Sequence, residues 1–517
     1  MIQKRPDVIV VGAGPTGLWA AAELRRAQLD VVIIEAATSR DPRSRAVGMA
    51  AGTLETFATR GVAEQFVDSG VPISSVHFGA ASTRLQITEE LLGTKYPWNI
   101  CIPQVVTENI LTEYCAAVGT HIRWGQRVVG LSQGDDAVTV TLESSTGERS
   151  TATASWVIGC DGGRSSVRQL AGIEFPGTSS SITGWLADVL LKDPPSHPVS
   201  VRGPTGSLLV QRMGKGDYYR MAGVDVETKH FPSSTSPTLE QIRSWAKTLY
   251  GTDFGAHSPL WLSRYGNATR LASDLRHGRV FIAGDAAHQF FPAGGQGINT
   301  GLQDAANLAW RIAAVQTGRV TGTSAKQLLD GYSTERRLAA GQVILNTGAG
   351  LSAFIASEPH DVAMVTIFSE ALQDKDLNGK WALRMTGFGD PIPQASAEQD
   401  PLIGARLTHV KVRGTFDDLH RRMTVTNFVL IVLDLVLEQT MKEAVKPWGA
   451  WITLISSEDG PSAYGDQWQG VTGILLRPDA RVAWVGRSSL SVSEIAESLA
   501  TALQGYLGDG EILSAVL

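Results

Sequence analysis

The sequence of 517 residues is poor in the features that mark several protein classes. Its three cysteines, Cys101, Cys115 and Cys160, are too few for a disulfide framework and are spaced unlike metal ligands. We therefore expect buried or incidental thiols and no metal site. The longest apolar stretch, from Asn427 to Leu437, is interrupted by Asp434 and is too short to cross a bilayer.

Charge and the start of the chain exclude further classes. The net charge is only −6 and no basic run occurs, so nothing indicates a nucleic-acid partner. The first residues lead directly into an apolar strand pattern, so we expect no signal peptide, no membrane partner and a cytoplasmic location. An apolar content of 43% and the chain length together predict a globular protein of about three domains.

What is present begins with a glycine-rich turn near the N-terminus. A strand, this turn, a helix, a second strand and an acid follow one another: Asp7 to Val11, Gly12-Ala13-Gly14-Pro15-Thr16-Gly17, Leu18 to Leu24, Asp30 to Ile34, and Glu35. The glycines permit a tight turn and a close approach to a pyrophosphate, and Glu35 can bind ribose hydroxyls. The order of elements predicts a dinucleotide-binding unit.

A second glycine-rich segment lies far along the chain, from Gly284 to Gly301. An apolar strand pattern, Val280 to Ala283, precedes it, and a helical pattern begins near Ile298. Unpaired backbone N–H groups at such a helix start can hold an anion. Asp285 would repel phosphate and is better suited to accept hydrogen bonds from a sugar hydroxyl. A cofactor with both a polyol and a phosphate, such as a flavin, satisfies both requirements.

A third segment, Cys160-Asp161-Gly162-Gly163-Arg164-Ser165-Ser166-Val167-Arg168, lies between these two. With all three in this order, the sequence resembles the class A FAD-dependent aromatic hydroxylases of the para-hydroxybenzoate hydroxylase type. Within that family it is most similar to the aromatic polyketide and phenol hydroxylase branch. The resemblance implies that FAD is bound and that NADPH or NADH serves as co-substrate.

The resemblance also implies individual cofactor contacts. It places Asp161 near the pyrophosphate, where it also helps NAD(P)H binding, and Asp285 on the flavin ribityl chain. The loop that approaches the isoalloxazine ring is implied to contact it through Pro292, Gly295, Gln296, Gly297, Ile298 and Asn299.

Arg45 and Gln104 are expected FAD contacts on the same ground. Arg45 fits the family spacing to the following helix, whereas we expect Arg40 and Arg43 to lie on the surface. Gln104 begins a Gln-x-x-x-Glu pattern that ends at Glu108, which could instead be a helix-surface acid.

His288 ends the string Gly-Asp-Ala-Ala-His, in which the family histidine is usually structural, so we favour a structural role over a general base. Asp304, on the next helix, is open between a flavin contact and a simple pair with a neighbour. Phe290 and Phe291 depart from the common family form. The catalytic residues remain unassigned, and aromatic residues such as Trp185 receive no role.

The patterns predict an α/β fold with a Rossmann-like FAD-binding domain, an inserted β-sheet substrate domain and a C-terminal thioredoxin-like domain. The expected ranges are 1–180 for the first part of the FAD domain, 181–270 for the sheet domain, 271–390 for the second part of the FAD domain and linking helices, and 391–517 for the C-terminal domain. Strands are expected at Val410 to Val412, Phe428 to Leu433 and Thr472 to Leu476, and no cysteine follows Cys160. The C-terminal domain therefore cannot perform thiol–disulfide chemistry and is expected to serve packing or dimerisation. The protein is expected to be a monomer or a homodimer.

The implied reaction is the hydroxylation of a phenolic or polycyclic aromatic substrate by dioxygen, through a hydroperoxide at flavin C4a. Baeyer–Villiger oxidation or epoxidation on the same fold is the main alternative. A flavin-dependent halogenase would show Trp-x-Trp-x-Ile-Pro, which is not found. A ligand-binding protein without turnover is disfavoured because all three cofactor segments are intact. No second G-x-G-x-x-G occurs, so the nicotinamide is expected to bind transiently to the FAD domain.

Overall fold

A computed structural model describes residues 5–390, 392, 399–407, 416–457 and 468–509. The N-terminal part of the chain alternates strands with helices. Its strands are β1 (Val8–Val11), β2 (Val31–Ile34), β3 (Gly48–Met49), β4 (Val71–Ile73), β5 (Ser75–Val76), β6 (Leu85–Gln86), β7 (Asn99–Cys101), β8 (His121–Arg123), β9 (Gln126–Gln133), β10 (Val138–Ser144), β11 (Arg149–Ala154), β12 (Trp156–Gly159) and β13 (Gly177–Thr178). Its helices are α1 (Pro15–Arg26), α2 (Ala51–Ala58), α3 (Ala63–Ser69), α4 (Glu89–Leu92), α5 (Gln104–Ala117) and α6 (Ser166–Leu170).

The next segment is mostly strand. It contains β14 (Thr183–Leu190), β15 (Val199–Gly203), β16 (Gly206–Arg212), β17 (Tyr219–Asp225), α7 (Leu239–Tyr250), β18 (His257–Gly266) and β19 (Thr269–Leu271). Five of these strands form one antiparallel sheet in the order β15-β16-β17-β14-β18. One face packs against α7 because apolar side chains alternate along the strands, among them Trp185, Leu208 and Met221.

The chain then returns to the first sheet and continues into helices. These elements are β20 (Arg276–His277), β21 (Val280–Ile282), β22 (His288–Gln289), α8 (Gln296–Gln316), α9 (Gly322–Ile355), α10 (Pro359–Ala371) and α11 (Lys375–Thr386).

The first sheet has six strands in the order β20-β21-β12-β1-β2-β8. All neighbours are parallel except β20 and β21. Val8 to Val11 of β1 are all buried, as expected for a parallel strand covered on both faces. This arrangement places the turns after β1 and β21 at the same edge of the sheet, which is where ligands bind in open α/β sheets.

The C-terminal part contains α12 (Phe416–Arg422), β23 (Phe428–Val432), α13 (Glu438–Ala444), β24 (Ile452–Ser456), β25 (Val471–Leu476), β26 (Val482–Arg487) and α14 (Val492–Leu507). Its sheet has the order β24-β23-β25-β26, with β23 and β24 parallel and the other pairs antiparallel.

A buried ion network joins this C-terminal sheet to the preceding helices. Arg477, at the end of β25, donates to the Glu335 carboxylate at 2.7 and 2.9 Å, and Arg311 donates to the same carboxylate at 2.6 Å. Asp479 accepts from Arg477 at 2.6 Å. Because unpaired buried charges are costly, these contacts fix how the two parts meet.

Most of the strands and helices expected from the sequence are present. The turn and helix after β1, the hairpin around Gln133 to Asp136 and the strands of the inserted sheet are confirmed. The strand expected at Val410 to Val412 lies outside the described residues. Helices α10 and α11 lie within the range 271–390, for which linking helices were expected.

Within the described residues, one helix, α9, is long and apolar enough by length and composition to cross a membrane. In its most apolar window 44% of the residues are buried inside the protein. One such helix is weak evidence for a membrane span.

The cysteines behave as expected. All three are free thiols; Cys101 and Cys115 are buried and Cys160 is partly buried. Burial raises the pKa of Cys115 to about 12, so this thiol stays protonated at neutral pH.

Candidate functional site

The turn between β1 and α1 presents free backbone donors. The helix begins at Pro15, and its N-cap, Gly14, supplies no side-chain hydrogen bond to the first turn. Gly12 has a φ of 106°, and a Cβ there would overlap the carbonyl of Cys160. A Cβ at Gly14 would meet no protein atom within 4 Å, so a ligand can approach this backbone closely.

Glu35 lies at the end of β2 beside this turn. Its carboxylate accepts hydrogen bonds from the backbone N–H of Ala13 at 2.7 Å and of Ala37 at 2.8 Å. Each carboxylate oxygen retains further acceptor capacity. Glu35 is therefore held in place and still able to bind the hydroxyls of a ribose.

The second helix start is formed by the glycine loop, which we define as residues 292–299. Gly294 and Gly295 have φ values of 71° and 64°, and α8 begins at Gln296 without a side-chain cap. Asn299 accepts hydrogen bonds from Ala50 N–H and the Thr53 hydroxyl, both at 2.8 Å. The loop is thus fastened to α2 while its first-turn N–H groups stay free to bind a ligand.

Thr16 brings the two helix starts together. A Cβ at Gly284 or at Gly301 would come too close to the Thr16 hydroxyl, so only glycines allow α1, α8 and the turn after β21 to meet here. The Thr16 side chain therefore packs against the turn after β21 and against α8. This leaves the backbone N–H of Thr16 as the group that can contact a cofactor.

Asp285 and Arg45 lie close enough for their charges to interact. Asp285 is exposed, and Arg45 is exposed in the arginine loop, residues 39–46. Surrounding protein raises the pKa of Asp285 by desolvation, while the positive charges of His288 and Arg45 oppose that rise. An exposed hydrogen-bond acceptor and an exposed cation therefore lie near each other at the turn after β21.

The arginine loop is fastened from two sides. Gln104 accepts a hydrogen bond from Ala46 N–H at 3.0 Å and donates to Glu108 at 2.8 Å. Arg40 also donates to Glu108, at 2.8 Å, and its side chain is only 18% exposed. The expectation that Arg40 is a surface residue is therefore wrong, and Glu108 is a buried partner rather than a helix-surface acid.

The inserted sheet holds the other side of this loop. Arg220 makes a bidentate ion pair with Asp188, with both N–O distances 2.8 Å, and both side chains are buried. It also donates to the carbonyl oxygens of Ser44 and, at 2.6 Å, of Arg45. This pair gives Arg220 a structural function that the sequence did not suggest. Arg43, by contrast, pairs with Asp41 on the surface.

The turn after β21 rests on a buried carboxylate. Asp304 accepts from Gly284 N–H at 3.0 Å, from His288 Nε2 at 2.7 Å and from Arg336 Nε at 2.7 Å. Asp304 and His288 are both buried, which agrees with a structural role for the histidine. Asp304 pairs with its neighbours and is fully buried, so the structure favours the pairing alternative over a flavin contact.

Asp161 also serves the backbone around it. Its Oδ2 accepts from the N–H groups of Ser166 at 2.7 Å and Val167 at 3.2 Å, which caps α6. Its Oδ1 is buried and has no hydrogen-bond partner among the described residues. Burial raises the pKa of this carboxyl.

Phe290 and Phe291 have different surroundings. The Phe290 ring stacks on His288, with ring centres 5.6 Å apart. Phe291 is buried in an apolar cluster with Val224 and Phe354, and its ring centre lies 5.5 Å from that of Tyr265. Phe291 therefore connects the glycine loop to the face of the inserted sheet that looks away from α7.

Taken together, these residues fit FAD. Two uncapped helix starts can bind phosphate and ring oxygens, and two carboxylates can bind sugar hydroxyls. An apolar sheet face lies beside the glycine loop. Among the described residues, no group of three or more His, Cys, Asp or Glu side chains is arranged to hold a metal ion.

Comparison with known proteins agrees with this geometry. Residues 5–347 match the family model described as FAD binding domain, and residues 400–510 match the one described as aromatic-ring hydroxylase, C-terminal. The chain belongs to the FAD-dependent aromatic-ring hydroxylases. As a member of this family it is a flavoprotein monooxygenase.

Relatives within the family cover nearly the whole chain. The rifampicin monooxygenase of Streptomyces venezuelae is 36% identical over 93% of this chain and 95% of its own length. The 12-dehydrotetracycline 5-monooxygenase/anhydrotetracycline 6-monooxygenase of Streptomyces rimosus is 31% identical over 96% and 98%. The solved structure of the anhydrotetracycline hydroxylase OxyS from Streptomyces rimosus has a TM-score of 0.84 at 30% identity, over 98% of this chain and 99% of that one.

Proposed function

We propose that this chain binds FAD between α1 and α8 and hydroxylates a phenolic or polycyclic aromatic substrate, with NADPH or NADH as reductant and dioxygen as oxidant. The observation that carries this proposal is the meeting of two uncapped helix starts and two carboxylates at one cleft beside an apolar sheet face. The relatives named above are monooxygenases of rifampicin, 12-dehydrotetracycline and anhydrotetracycline, which favours a polycyclic substrate over a single ring.

The residues divide the cofactor between them in this proposal. Pro15 has no N–H to donate, so the backbone N–H groups of Gly14, Thr16 and Gly17 bind the pyrophosphate. Glu35 binds the adenosine ribose. Asp285 accepts from the ribityl hydroxyls. Arg45 and Gln104 lie against the cofactor from the arginine loop, and Asp161 supports the pyrophosphate side. The ring lies against the residues from Pro292 to Asn299.

When bound, FAD supplies hydride acceptance and oxygen transfer, and the protein supplies position and shelter. Phe291, Val224 and Tyr265 form an apolar wall beside the glycine loop, which excludes water from the reacting groups. Asn299 keeps the first turn of α8 in place through its bonds to α2. No side chain is assigned as a catalytic acid or base.

The remaining expectations are part of the same proposal. We propose 1–180 as the first part of the FAD domain and 181–270 as the sheet domain. The second part of the FAD domain, with linking helices, is 271–390, and the C-terminal domain is 391–517. A thioredoxin-like C-terminal domain is supported by its strand order, with one parallel pair followed by an antiparallel hairpin. A cytoplasmic monomer or homodimer fits these proposals.

The test begins with the purified full-length chain. It should be yellow and release FAD on denaturation, and it should consume NADPH or NADH in air faster when a suitable phenol or polycyclic aromatic is added. A product that is one oxygen heavier and still aromatic supports hydroxylation, and an inserted ester oxygen indicates Baeyer–Villiger oxidation. A colourless protein that takes up no FAD contradicts the proposal.

A further inference from the structure

The face of the inserted sheet that looks toward the cofactor cleft is ordered in rows across the strands. Strand pairing places Leu209 beside Ala222, Ala222 beside Leu186, and Leu186 beside Ser263. Because side chains alternate along a strand, these residues share the face opposite to Trp185 and Leu208, which pack against α7. Leu209, Ala222 and Leu186 form an apolar row across three strands, a distance of about 10 Å at the usual spacing of about 4.8 Å, and Ser263 ends the row on β18.

The rows on either side of it differ in chemistry. On one side, pairing aligns Gln211, Arg220, Asp188 and Trp261, and the Arg220–Asp188 ion pair holds the arginine loop. On the other side lies Tyr265, which is paired with Gly184. The apolar row therefore lies between two other rows. One contains the Arg220–Asp188 ion pair, whose charges satisfy each other, and the other contains the phenol of Tyr265.

Tyr265 is fixed in orientation. A Cβ at Gly184 would overlap the Tyr265 ring, so the ring lies directly over the glycine. The ring of Phe291, the residue just before the glycine loop, contacts it with an interplanar angle of 48°. A ring confined on two sides presents its hydroxyl in one direction.

The Tyr265 hydroxyl is free to act as a donor. It makes no hydrogen bond within the part of the chain that the structure describes, and the residue is partly exposed. Burial raises the pKa of this phenol, so it carries its proton at neutral pH. A polar group in apolar surroundings gains most from a ligand that satisfies it.

We propose that Tyr265 is a specificity-determining residue. Its hydroxyl donates a hydrogen bond to an oxygen substituent of a fused-ring aromatic substrate that lies across the apolar row of Leu209, Ala222 and Leu186. The inference rests on the proposed function and narrows it: the substrate is a planar fused-ring compound with a phenol or ring-carbonyl oxygen toward Tyr265. The length and apolar character of the row favour fused rings over a single ring.

The test compares two ligands of equal shape on the FAD-loaded, full-length protein. Isothermal titration calorimetry measures the Kd of 2-naphthol and of 2-methylnaphthalene, in which a methyl group replaces the hydroxyl. Wild type, Tyr265→Phe and Tyr219→Phe are compared. Tyr219 is the matched control, because it lies on the same sheet but packs on the α7 side. Since the hydroxyl of Tyr265 has no protein partner among the described residues, Tyr265→Phe should fold as wild type.

Comparing the ratio of the two Kd values between wild type and Tyr265→Phe isolates the contact between the Tyr265 hydroxyl and the ligand hydroxyl. We expect Tyr265→Phe to reduce the preference for 2-naphthol by about threefold to tenfold, the size of one ordinary hydrogen bond, and Tyr219→Phe to leave it unchanged. An unchanged ratio in Tyr265→Phe, an equal change in Tyr219→Phe, or no binding of either ligand to wild type would overturn the inference.

Turnover is measured separately on the same preparations. Loss of the preference in Tyr265→Phe, without aromatic-stimulated NAD(P)H consumption by wild type, supports the Tyr265 contact and contradicts the proposed reaction. Stimulated consumption with an unchanged ratio contradicts the Tyr265 contact and leaves the reaction standing.

Discussion

His288 Nε2 lies 2.7 Å from Oδ2 of Asp304, and both side chains are buried beneath the turn that carries Asp285. The same Oδ2 accepts a hydrogen bond from the N–H of Gly284, and Oδ1 accepts one from Nε of Arg336 on α9. One carboxylate thus joins the turn after β21, the helix α8 and the helix α9. The placement of Asp285 depends on a residue that need not touch the cofactor.

Replacing Asp304 should therefore weaken both the fold and the cofactor site. In Asp304→Asn the buried Arg336 loses its nearer charged partner and keeps only the more distant Asp390 at 4.0 Å; breaking a buried ion pair typically costs about 3–5 kcal/mol. We expect a large fall in the free energy of unfolding, measured with urea, and a lower FAD content. The control is Asp41→Asn, whose ion pair with Arg43 is exposed and should contribute only about 0–1 kcal/mol. Equal effects of the two variants would contradict this role of Asp304.

His288 should act through structure and not through proton transfer. His288→Gln keeps a donor that can reach Asp304, so we expect reduced stability but a pH–rate profile of unchanged shape. Steady-state NAD(P)H oxidation across the pH range measures this. Loss of one limb of the profile would show that the histidine titrates in catalysis.

Stability should fall in acid because of buried ion pairs. Burial alone would raise the pKa of Asp304 and of Asp479, but their arginine and histidine partners outweigh it and lower both values. A carboxyl whose pKa is lower in the folded chain stabilises the fold above its unfolded pKa, and this stabilisation is lost as pH falls through the folded value. We expect the free energy of unfolding to decline below about pH 4.

Urea unfolding at several pH values checks this, and Asp479→Asn should show a shallower decline than wild type. A free energy of unfolding that stays constant between about pH 5 and pH 3 would contradict the assignment.

Two glycines of the first turn should respond differently to alanine. Gly12→Ala forces a side chain into a left-handed backbone and against the Cys160 carbonyl, so we expect poor folding. Gly14→Ala meets no protein atom, so the chain should fold with wild-type stability and lose affinity for FAD. Thermal melting and FAD titration separate the two effects. Full FAD affinity in Gly14→Ala would remove this turn from the cofactor site.

Asp285→Ala should reduce FAD affinity without disturbing the fold. The side chain is exposed and makes no hydrogen bond to another described residue, so its loss breaks no contact within the protein. A hydrogen bond to a charged acceptor contributes about 1.5–3 kcal/mol, so the Kd for FAD should rise by about tenfold to a hundredfold. Titration of FAD into the stripped protein measures it, and an unchanged Kd would contradict the ribityl contact.

The sequence predicted the local strands, turns and helix starts that carry the proposed site residues. The turn from Gly12 to Gly17 and the acid Glu35 lie within one strand–helix–strand unit, where spacing alone determines the geometry. The same holds for Asp285 and the glycine loop, which follow one strand and begin one helix. Expectations of this kind required no knowledge of distant contacts.

Features that depend on distant residues were missed or wrong. Arg40 has the composition of a surface arginine, yet it meets Glu108 on a helix 68 residues later. Arg336 and Asp304 pair across 32 residues, and Arg477 reaches Glu335 across 142. Charged residues inside otherwise apolar helices are the available signal for such pairs, but a single sequence does not identify the partner.

The most direct test of the account is the source of the oxygen in the product. The FAD-loaded protein is supplied with NADPH or NADH and an accepted aromatic under oxygen-18 gas, and the product is analysed by mass spectrometry. We predict a product that is still aromatic and carries one labelled oxygen atom. An accepted substrate converted without incorporation of label from the gas would contradict the monooxygenase account.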